Sequence, residues 1–225
     1  MAKGLRLLNQ GYYLKENDHT SSGHKLGGHC GLDGAISPNS GRPLLQMAQL
    51  TTDSPELLAL AFPLPKLPLL YGWSCAISDG PLQYRVTSGS VEIVEFRKGD
   101  AYDDFPYEDY PDFFPEISMH SVALTAHEQA AIDHANSNGI NFSTLTDDLE
   151  RILRPNHQIG GSPYVGTEIQ LQYKCRSCGG IMNFVAAIGN NCVSDERGFM
   201  GNDYAQLLYF VCDTCHLISA ENFCD

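Results

Sequence analysis

Gly23-His24-Lys25-Leu26-Gly27-Gly28 returns, in altered form, as Asn156-His157-Gln158-Ile159-Gly160-Gly161: a histidine, a polar residue, an aliphatic residue and a glycine pair. Further on, Leu44-Leu45-Gln46-Met47-Ala48-Gln49-Leu50 answers Ile169-Gln170-Leu171-Gln172-Tyr173, and Leu69-Leu70-Tyr71 answers Leu207-Leu208-Tyr209. Three matches in one order at similar spacing point to an internally duplicated unit. Chance is the alternative, because each match is short. Paired glycines suit tight turns, since glycine reaches positive φ at little steric cost. Apolar or alternating runs at 44–50, 68–77, 91–97, 168–174, 181–187 and 206–212 read as strands.

Three short helices are expected. Ser54-Pro55-Glu56 supplies a cap, a first-turn proline and an acid. Thr125 with Glu128 is a capping-box pattern ahead of an Ala-rich run at about 126–135. Thr144 with Asp147 opens the third, with Leu145, Leu149, Ile152 and Leu153 on one face and Pro155 as its stop. Strands outnumber helices and do not alternate with them. The expected class is therefore α+β, internally duplicated, with largely antiparallel sheet. The expected parts are an N-terminal half at 1–98, a connecting segment at 99–119 and a C-terminal half at 120–225.

The most specific chemical signal lies in that last half. Lys174-Cys175-Arg176-Ser177-Cys178-Gly179-Gly180 and Val211-Cys212-Asp213-Thr214-Cys215-His216 are two C-x-x-C pairs with 33 residues between Cys178 and Cys212. Each follows an expected strand. Two such knuckles facing each other place four thiolates at the corners of a tetrahedron, the geometry of a structural Zn²⁺ site. One structural zinc per chain on Cys175, Cys178, Cys212 and Cys215 is the expectation, as in a zinc ribbon. Two free buried pairs and a redox dithiol are the alternatives, although a redox motif needs a single C-x-x-C at a helix start. Gly179 and Gly180 relieve crowding near sulfur, Lys174 and Arg176 offset thiolate charge, and His216 is a reserve ligand. His19, His24, His29 and Cys30 also crowd one stretch, but their spacing fits neither a helix face nor a knuckle.

The 225 residues carry 27 acidic and 14 basic side chains, a formal charge of −13. Such a surface repels phosphates and anionic lipid, so neither nucleic acid nor membrane is an expected partner, and a basic protein is. The first residues lack the apolar core of a signal peptide, so a cytoplasmic location is expected. The acidity peaks between Asp100 and Glu116, where seven carboxylates and six aromatic rings stand without a lysine or arginine. One reading is a solvated loop whose rings pack on the nearest sheet. The other is a recognition surface of Asp103, Asp104, Tyr107, Glu108, Asp109, Tyr110 and Asp112, with carboxylates for a cation and rings as anchors. No nucleophile elbow, zincin helix, phosphate loop or dinucleotide fingerprint occurs, and an enzyme is not expected.

His157-Gln158-Ile159-Gly160-Gly161-Ser162-Pro163 resembles the H-x-I-G-G-x-P segment of the YwqG-like bacterial family, a domain of unknown function. Lys25-Leu26-Gly27-Gly28 followed by Pro43-Leu44-Leu45-Gln46-Met47-Ala48-Gln49 resembles its K-x-G-G and P-L-x-x-x-A-Q segments. Leu171-Gln172, and Met200-Gly201-Asn202-Asp203 leading to Leu208-Tyr209-Phe210, resemble later ones, so the likeness spans about residues 23–215. His29-Cys30 stand where the family has proline, and the acidic segment is not a family feature. The resemblance implies a duplicated α+β protein without an assigned reaction. It also implies a candidate immunity protein that neutralises a cognate antibacterial toxin. The acidity makes a basic nuclease the expected toxin, blocked at its nucleic-acid-binding surface. A zinc-ribbon nucleic-acid adaptor and an enzyme of unknown chemistry are the alternatives.

Overall fold

A computed structural model describes residues 6–8, 10–16, 23–38, 40–72, 81–96, 113–140, 143, 145–154, 156–166, 173–189 and 205–224. Among them run twelve strands: β1 (Arg6–Leu7), β2 (Tyr12–Glu16), β3 (His24–Gly28), β4 (Leu45–Thr51), β5 (Lys66–Tyr71), β6 (Leu82–Val86), β7 (Val91–Glu95), β8 (Phe114–Ala123), β9 (Gln158–Ile159), β10 (Asn183–Gly189), β11 (Ala205–Val211) and β12 (Leu217–Cys224). Two helices, α1 (Ala126–Asn138) and α2 (Asp147–Leu153), join β8 to β9. All strands belong to one sheet in the order β5-β4-β3-β8-β2-β9-β10-β11-β12-β6-β7, with β1 added beside β10. Every pairing is antiparallel except β1 with β10.

The sheet curls into a half-barrel. Its edge strand β5 carries Pro68, which has no N–H to give and is tolerated at an edge. That strand is held by tyrosines from across the curl. The Tyr84 hydroxyl accepts from Leu70 N–H at 2.8 Å and donates to the Pro68 carbonyl at 3.0 Å, and Tyr209 Oη donates to the Leu70 carbonyl at 3.4 Å. The main core fills the concave face, with Leu26, Met47, Leu69, Tyr84, Val185, Leu207 and Tyr209 among its buried residues. On β11 the alternate residues Leu208 and Phe210 point the other way, into a second cluster with Phe184, Cys175 and Cys212. Both faces of β11 are covered, so its sequence is continuously apolar rather than alternating. A third cluster, of Tyr13, Leu124, Ile132, Ala135, Ile152 and Leu153, seats α1 and α2.

The two glycine pairs hold corresponding places in this sheet. Leu26 on β3 faces Ala48 on β4, and Ile159 on β9 faces Ala186 on β10. The residue just before each facing alanine, Met47 or Val185, is a bulge against the next strand outward. β3 borders β8, β9 borders β2, and β8 and β2 pair with each other between them. Gly27, Gly28, Gly160 and Gly161 all have positive φ, between 59° and 85°. A Cβ on Gly27 would lie 2.3 Å from the Pro115 carbonyl oxygen, and one on Gly160 2.5 Å from that of Gln10. The tyrosines expected to correspond do not. Tyr71 faces Leu45, ahead of the bulge, whereas Tyr209 faces Ala186, just past it. Leu69, facing Ala48, takes the matching position, so the Leu-Leu-Tyr segments are two residues out of step.

Expected strands 44–50, 91–97, 181–187 and 206–212 coincide with β4, β7, β10 and β11 to within a few residues, and 68–77 overlaps β5 as far as Tyr71. Most of 168–174 lies outside the described residues. No expected strand corresponds to β1, β2, β3, β6, β8, β9 or β12. The capping box at Thr125 and Glu128 is present as anticipated. α2 is capped by Thr146, whose hydroxyl accepts from Leu149 N–H, and not by Thr144, which is outside the described residues. The helix expected after Ser54 is a turn ending in a single 3-10 turn at Leu58–Leu60, which buries Leu57 and Leu60. The sheet runs unbroken past the expected bounds: β8 spans position 119, and β6 from the first segment pairs with β12 from the last. Among the described residues no helix is long and apolar enough to cross a membrane.

Candidate metal centre

The two C-x-x-C segments form near-identical tight hairpins. In the first, Cys175 N–H donates to the Gly180 carbonyl at 2.9 Å and Gly179 N–H to the Cys175 carbonyl at 2.7 Å. In the second, Cys212 N–H donates to the Leu217 carbonyl at 2.9 Å and His216 N–H to the Cys212 carbonyl at 2.8 Å. The residue after the second cysteine is left-handed in both, with φ +72° at Gly179 and +52° at His216. Glycine adopts that conformation freely, whereas histidine does so at some cost in strain. A Cβ on Gly180 would also press to 3.3 Å of Cys178 Sγ, which is the crowding that glycine relieves.

The four sulfurs lie within 4.8 Å of one another, and Cys178 Sγ is 3.6 Å from Cys212 Sγ. A tetrahedron of thiolates about a zinc has edges of about 3.8 Å, given metal–sulfur bonds near 2.3 Å. The residues therefore fit a four-coordinate ion. Cys175 and Cys212 are buried in the outer cluster, Cys215 is half-buried and Cys178 exposed, so the centre bridges core and surface. The thiols do not ionise equally. Cys178 is drawn down to about 7, chiefly by the Gly180 N–H and then by its cysteine neighbours. Cys215 is pushed up to about 12, chiefly through its hydrogen bond to Cys178, and Cys212 is raised, chiefly by burial. One thiolate forms readily and discourages the others, a balance that a bound cation reverses by deprotonating its ligands outright.

Gln83 on β6, 1% exposed, clamps the first knuckle. Its Nε2 donates to the Lys174 carbonyl and its Oε1 accepts from Arg176 N–H, both at 2.9 Å. Sequence reasoning missed this residue, because nothing local to Gln83 signals a knuckle 91 positions away. Arg176 Nε stands 3.6 Å from Glu95, and Arg85 pairs with Glu92 at 2.6 Å while reaching Ser177 Oγ at 3.4 Å. Asn183 Nδ2 holds Asp213 on the second knuckle. His216 is not needed as a ligand. It fills the turn, with its ring edge-on to Phe62.

Among the described residues, the N-terminal histidines do not converge. His24 is buried, its Nδ1 accepting from Thr51 N–H at 3.1 Å and its Nε2 3.7 Å from Glu56, while His29 stacks on Phe113 at 3.7 Å. His19 lies outside the described residues. So do Asp103, Asp104, Tyr107, Glu108, Asp109, Tyr110 and Asp112. At the described end of that segment, Phe114 is buried in the protein's own core and Glu116 pairs with Lys25 at 2.6 Å.

Fold and site together define an antiparallel β half-barrel carrying a four-cysteine centre able to hold a metal ion. No family model, curated protein or solved structure matches the chain.

Proposed function

We propose that this protein is a cytoplasmic immunity protein that binds and neutralises a cognate basic toxin, a nuclease, and is not itself an enzyme. We further propose that the ion on Cys175, Cys178, Cys212 and Cys215 is a structural zinc. The observation that carries the reading is the pairing of a −13 charge with a four-cysteine cluster able to hold a metal ion. Four thiolates leave no coordination position for water or substrate, so such an ion holds structure. The charge favours fast, steered capture of a cationic partner. Arg85 and Arg176, beside the knuckles, are paired with Glu92 and Glu95. Such pairing leaves little free positive charge for phosphate and favours a protein partner over nucleic acid. The YwqG-like resemblance is part of the same proposal, as is an internal duplication. The matched glycine turns and the matched bulges at Met47 and Val185 support it.

The test is co-expression with the toxin encoded beside it. The expected result is restored growth and a stable complex of the two purified proteins. Continued killing without complex formation would sink the immunity reading. Elemental analysis of the purified chain should return one zinc per chain, and iron in its place would overturn the zinc assignment.

A further inference from the structure

We propose that the four-cysteine cluster is a peroxide-sensitive site, at which Cys178 is oxidised first and Cys212 closes a disulfide onto it, joining the two knuckles. The loss of zinc that follows rests on the zinc assignment. The disulfide itself does not, and neither depends on the immunity reading.

The four sulfurs differ in access. Cys175 and Cys212 are 1% and 3% exposed, Cys215 is half-buried and Cys178 is exposed. Ser177, Gly179 and Gly180 around it are exposed as well, and none carries more than a hydroxymethyl side chain. Susceptibility to oxidation follows exposure, so Cys178 is the sulfur that a small oxidant from solvent meets first. A second sulfur already stands beside it. Cys212 Sγ is 3.6 Å away, and the two need to close by only about 1.5 Å to bond. Cys215 N–H donates to Cys212 Sγ at 3.4 Å, which holds that sulfur in place. Nearness of this order occurs in any closed four-thiolate centre. The particular feature here is that the exposed sulfur and a fully shielded one are neighbours, and that they sit on different knuckles.

The chemistry balances with hydrogen peroxide as the oxidant. The Cys178 thiolate attacks one peroxide oxygen, the O–O bond breaks, and the other oxygen leaves as hydroxide, leaving Cys178 as a sulfenic acid. The Cys212 thiolate then attacks the Cys178 sulfur. The S–S bond forms, the S–O bond breaks, and a second hydroxide leaves. Each hydroxide takes a proton from solvent, so two sulfurs lose two electrons in all and peroxide becomes two waters. Only Cys175 and Cys215 remain as thiolates, too few to fill a tetrahedral site. The new bond crosses between the knuckles, so it takes the place of the ion as the tie between them. Closing that loop covalently constrains the unfolded chain, as the ion does.

The test is hydrogen peroxide titrated into the full chain, with free thiols counted, released zinc read with a metallochromic indicator, and disulfides located by peptide mapping. The expected result is the loss of two thiols and one zinc per chain, with the Cys178 peptide linked to the Cys212 peptide. Dithiothreitol with added zinc should reverse it. The oxidised chain should also melt above the reduced chain stripped by a chelator. A link from Cys178 to Cys175, or first oxidation at any other cysteine, would overturn the proposal. Every readout is taken on wild type, so no variant has to fold. Limiting iodoacetamide gives an independent measure of access: Cys178 should take roughly tenfold more label than Cys175 or Cys212, and equal labelling counts against the site. A chain that purifies without zinc would defeat the zinc assignment alone. The reduced chain would still have to form the Cys178–Cys212 disulfide for the proposal to stand.

Discussion

The side chain of Gln83 makes two hydrogen bonds to the first knuckle from a strand that belongs to neither cysteine pair. Gln83→Ala should therefore loosen the site without removing a thiol. Each lost bond is worth about 1 kcal/mol, and outer partners of metal ligands typically alter affinity by about 10–100-fold. Competition with a zinc chelator measures the change, and an unaltered zinc affinity would show that the knuckle holds its own shape. Cys178→Ser should lower zinc content and melting temperature together, because metal binding is coupled to folding. A metal-free wild type of unchanged stability would reject a structural role. His24 sets a pH dependence. Burial depresses its pKa, with Glu56 acting in the opposite direction. A histidine depressed in the fold contributes stability that is present above its unfolded pKa of about 6.5. That contribution is lost as pH falls through the lower folded value. The melting temperature should thus fall between pH 7 and pH 5, and His24→Gln should flatten the slope. An equal slope in that variant would assign the titration to another group.

Among the elements, the glycine turns leave no room for a side chain. At Gly27 a side chain would meet the Pro115 carbonyl oxygen of the adjacent strand β8, and at Gly160 the Gln10 carbonyl oxygen just ahead of β2, each in a backbone conformation that only glycine adopts freely. Gly27→Ala and Gly160→Ala should each cost about 1–3 kcal/mol in backbone strain before the clash is added. Chemical denaturation measures this, and a loss below 0.5 kcal/mol at both sites would mean that the turns can open without penalty. α1 and α2 are joined by the pair of His127 with Asp148 at 3.3 Å and through Glu128. It completes the capping box with Thr125 and also accepts from Arg151. Here the capping box was legible in the sequence because its hydrogen bonds span three residues. The cap of α2 was misplaced by two positions, since Thr144 and Thr146 both precede an acidic first turn and local pattern cannot choose between them.

For the molecule as a whole, the net charge predicts how it meets a partner. If the acidic segment forms part of the proposed interface, Asp103→Lys with Asp104→Lys should slow association with the proposed basic toxin by about tenfold at low salt and weaken its salt dependence. Tyr107→Ala should instead speed dissociation. Unchanged kinetics in both variants would place the contact elsewhere on the half-barrel.

What the sequence determined by itself rests on short-range chemistry. Two C-x-x-C spacings define two knuckles because each hairpin closes within seven residues, and their pairing into one centre follows from the four-thiolate need of a metal. Paired glycines announce turns because only they tolerate φ near +60°. The apolar runs of β4, β10 and β11 were visible because both sheet faces are covered there. The tertiary structure decided the rest. Strands β2, β3, β6, β8 and β12 mix polar and apolar residues, and each has at least one partner strand tens of residues away. β8 becomes an interior strand of the sheet by pairing with β2 and β3, and β6 closes the metal-bearing side by pairing with β12. The same long-range pairing set Leu69, and not Tyr71, in the place matching Tyr209. A register is fixed by hydrogen bonds across strands and by bulges, and neither leaves a trace in the order of residues along one strand.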